Sequence, residues 1–170
     1  MEENYGAGRL PHFHPALEGC VTRDPCFAKA LCESYMEELA AVGAYTYRAL
    51  VIRGRNQRPS ELFERIAREE MVHFRLLGEL ILALGGNPAI CTHLRIGMPE
   101  GCCAVGGEAG FEGRAIADSL REERRGIDRY QTLMGCTRDR VVRSVLAQII
   151  DDEQSHIEAL CSFSKEHHNR

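Results

Sequence analysis

Apolar and special residues recur along the chain in four stripes, and their steps of three and four residues put each stripe on one helix face. The first runs Leu31, Tyr35, Glu38, Val42, Tyr45, Ala49 and Ile52. Asp24-Pro25 ahead of it is a helix start: an N-cap acceptor, then a residue whose missing N–H costs nothing at the first helical position. Gly54 marks its end. The second stripe is Ile66, Glu70, His73, Leu77, Ile81 and Leu84, beginning after Pro59-Ser60 and stopping at Gly85-Gly86-Asn87-Pro88, a glycine cap followed by proline. Ile116, Leu120, Glu123, Ile127, Tyr130 and Met134 make the third, closed by Gly135. The fourth, Val142, Leu146, Ile149, Glu153, His156, Leu160 and Phe163, is opened by Asp139 as a cap. No segment shows the alternation of a strand.

These patterns predict an all-α fold. Residues 86 to about 112 have no helical period and are rich in glycine and cysteine, a connection unusually long for a compact domain. Helices of about 22 residues are about 33 Å long, and such a connection can run back along that length. The first helix with the second, and the third with the fourth, then form two antiparallel hairpins joined by a long crossover, with the second and third helices parallel. A four-helix bundle with one crossover has the topology of ferritin-like folds. The bundle domain is assigned to residues 24–170. Residues 1–23, with Gly6, Gly8, Pro11, Pro15 and Gly19, read as an irregular lead-in, and its His12 and His14 lack a third ligand at a sensible spacing.

Each stripe is broken near its middle by an acid: Glu38, Glu70, Glu123 and Glu153. Two of these have a histidine three residues on, His73 and His156, and helix neighbours at that spacing project from one face. Six potential ligands therefore converge on the bundle interior. A buried unpaired carboxylate costs several kcal/mol or takes up a proton, and four at one level repel one another as well. Two divalent cations offset four carboxylates, with neutral imidazoles completing the shells. Oxygen and imidazole donors without thiolates suit iron or manganese better than structural zinc. The chain also repeats: Glu38-x6-Tyr45 precedes Glu70-x-x-His73 as Glu123-x6-Tyr130 precedes Glu153-x-x-His156. Tyr45 and Tyr130 lie two turns from the acids on the same faces, where they serve either core packing or a hydrogen bond to a ligand carboxylate.

At 170 residues the chain holds one domain with a sizeable core, and 44% hydrophobic with 27% charged residues excludes disorder and low-complexity architectures. A net charge of -4 gives no basic face for nucleic acid or anionic lipid. No segment reads as an export signal or membrane span, so the expected location is the cytoplasm. Eight cysteines without paired C-x-x-C knuckles are expected to be reduced there, and adjacent Cys102 and Cys103 to be small loop residues.

At these residues the sequence resembles the ferritin-like di-metal carboxylate proteins, which include bacterioferritins, rubrerythrins and manganese catalases. The resemblance covers roughly residues 24–165. It is carried by Glu-Glu-Met-Val-His at 69–73, Leu-Gly-Gly-Asn-Pro at 84–88 and Ile-Ile-Asp-Asp-Glu-Gln-Ser-His-Ile at 149–157. It implies that Glu38, Glu70 and His73 serve one metal and Glu123, Glu153 and His156 the other, with Glu70 and Glu153 bridging. Rubredoxin-type knuckles are absent, which implies a separate electron-donor protein. The short fifth helix typical of storage cages is also missing, which points to a homodimer over a hollow shell. Met71 follows Glu70 as a haem-ligating methionine does in bacterioferritins, but related non-haem proteins look similar there; core packing is expected, without haem. The expected function is a di-iron or di-manganese oxidoreductase acting on O₂ or hydrogen peroxide. An iron-oxidising storage or detoxification relative is the alternative, and a purely structural metal is third.

Overall fold

The computed structural model describes residues 21–89 and 110–168. Four helices account for most of them: α1 (Pro25–Ile52), α2 (Gln57–Ala83), α3 (Phe111–Gly135) and α4 (Arg140–His168), with no strand among the described residues. His12, His14, Cys102, Cys103 and most of the long connection lie outside the described residues.

The helix ends follow local chemistry. Asp24 accepts from the Phe27 N–H at 2.9 Å, and Asp139 from the Val141 and Val142 N–H groups at 2.9 and 3.2 Å, which satisfies donors that an α-helix leaves free at its start. Asp139 also accepts from the Thr22 N–H at 3.0 Å, tying the chain ahead of α1 to the start of α4. At the end of α2, Gly85 takes φ 86°, while the Gly85 and Gly86 N–H groups donate to the Leu82 and Ile81 carbonyls at 2.9 and 2.8 Å. This reversed pairing needs a left-handed residue, and glycine takes that conformation without steric cost. One boundary differs from the sequence reading. α2 begins at Gln57, ahead of Pro59, because a first-turn N–H has no intrahelical acceptor and proline is tolerated there. α3 ends at Gly135, as the sequence pattern predicts.

The apolar stripes pack into two separate clusters. One joins Phe27 and Leu31 of α1, Leu77 to Leu84 around the end of α2, Tyr130 and Leu133 of α3, and Val142 to Ile149 of α4. The other joins Tyr45 to Ile52 of α1, Phe63 to Ala67 of α2, Ala115 and Ile116 of α3, and Leu160 and Phe163 of α4. The C-terminal halves of α2 and α3 share one end and their N-terminal halves the other, so these helices run parallel. The late half of α1 meets the early half of α2, and α3 meets α4 in the same sense, giving two antiparallel hairpins. α1 faces α3 and α2 faces α4 across the hairpin interface. The arrangement is the ferritin-like four-helix bundle, and the gap between the two clusters is the level of the acids.

Cys26, Cys136 and Cys161 are free. Cys32 is disulfide-bonded, which corrects the expectation of reduced thiols at that position. None of the described helices is long and apolar enough to cross a membrane. Asp139→Ala removes a cap and the tether to Thr22; the expected loss is about 1–2 kcal/mol, read as a drop of roughly 2–4 °C in melting temperature per kcal/mol.

Candidate metal centre

Between the two apolar clusters all six predicted residues are buried: Glu38, Glu70, His73, Glu123, Glu153 and His156. They form two groups whose ligand atoms lie within 4.8 Å of one another, Glu38-Glu70-His73-Glu153 and Glu70-Glu123-Glu153-His156. Glu70 and Glu153 belong to both. This sharing is the geometry expected of bridging carboxylates. It follows from the i, i+3 spacing on α2 and α4, whose Glu-x-x-His pairs face each other across the bundle.

The two halves match closely. His73 Nδ1 lies 3.2 Å from Glu70, 3.3 Å from Glu153 and 3.6 Å from Glu38. His156 Nδ1 lies 3.1 Å from Glu153, 3.3 Å from Glu70 and 3.6 Å from Glu123. The ring centroids are 5.9 Å apart. Each Nδ1 therefore faces three carboxylates, and each Nε2 points away to an acid at the rim: Asp152 at 3.3 Å for His73 and Glu69 at 2.8 Å for His156.

Glu69 and Asp152 did not emerge from the stripe reading. They immediately precede the shared glutamates, so each motif is acid-Glu-x-x-His, and that doubled acid is the signal in the sequence. A carboxylate on the outer nitrogen fixes the tautomer and plane of the ring and raises the basicity of the inner nitrogen. Asp152→Asn or Glu69→Gln is expected to weaken metal binding about ten- to hundredfold, measured by competition with a chromophoric chelator.

Both tyrosines hydrogen-bond to acids, and they do so across the hairpins: the Tyr45 hydroxyl donates to Glu123 Oε1 and the Tyr130 hydroxyl to Glu38 Oε1. Because α1 and α3 run antiparallel, residues two turns past each acid lie at opposite ends of the site, where each reaches the acid of the other helix. Of the alternatives left open for these residues, both hold: each ring packs in a core cluster and each hydroxyl binds a carboxylate. The α1 end of one half carries a further polar group, buried Arg48, whose Nη1 donates to Ser119 at 3.0 Å and pairs with Glu122 at 2.8 Å. Met71 is 45% exposed, which corrects its expected core packing; position 71 follows the buried Glu70 and so turns off the buried stripe.

The electrostatics show what the site lacks. Among the described residues no lysine or arginine pairs with the four acids. Burial pushes Glu38 up to about 8 and Glu123 up to about 9. Burial also opposes ionisation of Glu70 and Glu153, but hydrogen bonds outweigh it and hold both below the usual range. Those bonds come from His156 and His73 on Glu70, and from Glu123, His156 and His73 on Glu153. For the imidazoles burial favours the neutral form, yet the surrounding carboxylates prevail. His73 sits well above its ordinary value, and His156 is pushed up to about 12. Without metal the site is thus balanced by protons: two imidazolium ions, two carboxylates and two neutral acids. Four acid oxygens and two imidazole nitrogens around one pocket of retained protons fit divalent cations, which supply the same positive charge without the protons.

A cavity of about 270 Å³ opens over the site between α1 and α3. Its buried floor is Glu38, Glu70, Glu123 and Glu153, and it touches neither histidine. The imidazoles thus close the α2–α4 side while the carboxylates face an opening.

Fold and site together define a helical-bundle protein with a buried carboxylate-histidine centre able to bind metal. The sequence model described as Ferritin-like matches residues 31–106, in agreement with the bundle topology. No curated protein matches the chain.

Proposed function

We propose that the protein is an oxidoreductase that holds two iron or two manganese ions among Glu38, Glu70, His73, Glu123, Glu153 and His156 and acts on O₂ or hydrogen peroxide. The observation that carries this reading is the one-sided cavity: an open approach ends on the four carboxylates, while both histidines are pinned on the closed side. When bound, the ion pair supplies a two-electron redox change shared between two centres.

The chain's own residues do the rest. Glu70 and Glu153 tie the two ligand groups together, so that one small oxidant meets both at once. Asp152 and Glu69 fix the ring planes of His73 and His156. The Tyr45 and Tyr130 hydroxyls hold one oxygen of Glu123 and of Glu38, restricting how far each acid can swing. Burial between two apolar clusters shields the six side chains from bulk water. Electrons return from a separate donor protein, and the working particle is a homodimer.

The test loads separate samples with iron and with manganese and follows peroxide consumption, with O₂ uptake on adding Fe²⁺ in parallel. Peroxide turnover above that of an equal amount of free metal is expected. His73→Ala or His156→Ala should cut the rate by about a hundredfold, and His12→Ala or His14→Ala far less. Rapid Fe²⁺ oxidation without peroxide turnover, in a particle far larger than a dimer of about 38 kDa, would favour the storage alternative. Inertness in both assays with metal bound would leave a structural metal.

A further inference from the structure

The cavity above the carboxylates is larger than the oxidants assigned to it. A water molecule's share of liquid volume is about 30 Å³, so O₂ or hydrogen peroxide leaves most of 270 Å³ unfilled. The cavity lies just below the range of about 300–1,000 Å³ typical of small-molecule sites. One stretch of its wall is small and apolar, made by Ala40, Ala41 and Ala44 on α1 and Gly126 on α3. A glycine inside a helix is unfavourable relative to alanine, and it is usually retained where another backbone comes close. Here a Cβ at 126 would meet nothing within 4 Å, so tight helix packing does not explain the residue; it leaves space.

The rim carries two acids, Glu37 and Glu122, and two arginines, Arg125 and Arg129, so its charges balance. Arg129 pairs with Glu37 and Arg48 with Glu122, both across the α1–α3 seam. A small apolar wall beside a rim of balanced charge, leading to a redox-capable floor, suits a neutral molecule with a compact apolar body and a reactive oxygen end.

We propose that this cavity admits organic hydroperoxides, ROOH with a compact branched R group, and delivers their peroxide end to the carboxylate site. The proposal rests on the redox reading above. In the step, the O–O bond breaks, the RO oxygen takes one proton and leaves as the alcohol ROH, and the other oxygen takes one proton and leaves as water. The two electrons come from two ferrous ions, each of which becomes ferric, so a single turnover needs no external donor. The R group rests against Ala41, Ala44 and Gly126.

The experiment is an anaerobic single turnover of Fe²⁺-loaded protein with tert-butyl hydroperoxide and, separately, with hydrogen peroxide. Optical oxidation of the iron and chromatography of tert-butanol are followed together. One tert-butanol per two irons is expected, and in Gly126→Leu the ratio of the tert-butyl hydroperoxide rate to the hydrogen peroxide rate should fall by about tenfold or more. Ala41→Leu, on the opposite wall, provides a second variant should the first misfold. A readout independent of the metal is tert-butanol binding to metal-free protein by amide NMR, with shifts expected at Ala41, Ala44 and Gly126 in the wild type and lost in Gly126→Leu. Oxidation by hydrogen peroxide alone, with no tert-butanol formed and no shifts, overturns the proposal and leaves the redox reading intact. An unchanged rate ratio in both variants also overturns it. Failure of both peroxides to oxidise bound iron defeats the redox reading and this proposal with it.

Discussion

Replacing Glu70 and Glu153 together by alanine is expected to abolish metal binding altogether, leaving protein that retains none of about two ions per chain after desalting. These are the two residues common to both ligand groups, so their loss leaves Glu38 with His73 on one side and Glu123 with His156 on the other. Two monodentate donors without a shared carboxylate cannot hold a labile divalent ion against buffer. The single variants should be graded: Glu38→Ala empties the group it belongs to, Glu123→Ala empties the other, and each leaves about one ion per chain. The metal-free double variant is also expected to lose stability, since His73 and His156 keep their protons inside the core with fewer carboxylates to balance them. Breaking a buried pair in this way costs about 3–5 kcal/mol. Elemental analysis on monodisperse protein, with helicity checked by circular dichroism, reads both effects, and Glu70→Gln with Glu153→Gln separates lost charge from lost volume. Two ions held by the double variant as tightly as by the wild type would mean that the metal sits elsewhere.

Much of this site could be read from the chain because a helix translates sequence spacing directly into facing. Seam positions such as Glu38 and Glu123 are legible for that reason: an acid in an apolar stripe either violates the core or belongs to a polar layer. The antiparallel pairing of α1 with α2 was legible from the short turn at Gly54, and the parallel run of α2 and α3 from the length of the connection. Other features depend on angles around the helix that a stripe ignores. Glu69 and Asp152 sit about 100° away from their neighbours Glu70 and Glu153, half-exposed, and they matter only because an imidazole turns its outer nitrogen toward them. The tyrosine contacts cross between hairpins, so pairing within one helix does not reveal them. The cavity is a deficit of volume: Ala40, Ala41 and Ala44 look like ordinary helix formers until their opposite number proves to be Gly126. Buried Arg48 was masked because a long cationic side chain reads as surface until Ser119 and Glu122 are known to receive it.

Binding of two divalent ions near neutral pH is expected to release about four protons per chain, and the metal-free protein to lose stability as pH rises from about 6.5 to 9. The sign follows from the shifts. Glu38 and Glu123 are raised from 4.5 to about 8 and about 9, so above pH 4.5 the folded chain keeps protons there that the unfolded chain has lost. His73 and His156 are raised from 6.5, the latter to about 12, and above pH 6.5 they add two more. Their favourable contribution is complete below 6.5 and drains away as pH climbs toward the folded values. Each group that holds an extra proton in the folded state costs about 1.4 kcal/mol of stability per pH unit. Glu70 and Glu153 are lowered, and their contribution is already complete above 4.5, so it does not oppose the trend; it is lost only on acidification through their low folded values. Metal binding takes the four protons off, and the loaded protein should therefore show a flat profile over the same interval. Denaturant titrations of chelator-treated and metal-replete protein between pH 6 and 9 give the two curves. Calorimetry in buffers of different ionisation enthalpy counts the protons directly. Parallel curves, or release of fewer than about one proton per ion, would show that the ligands are not proton-balanced in the empty site and that the carboxylates there are already ionised by some other counter-charge.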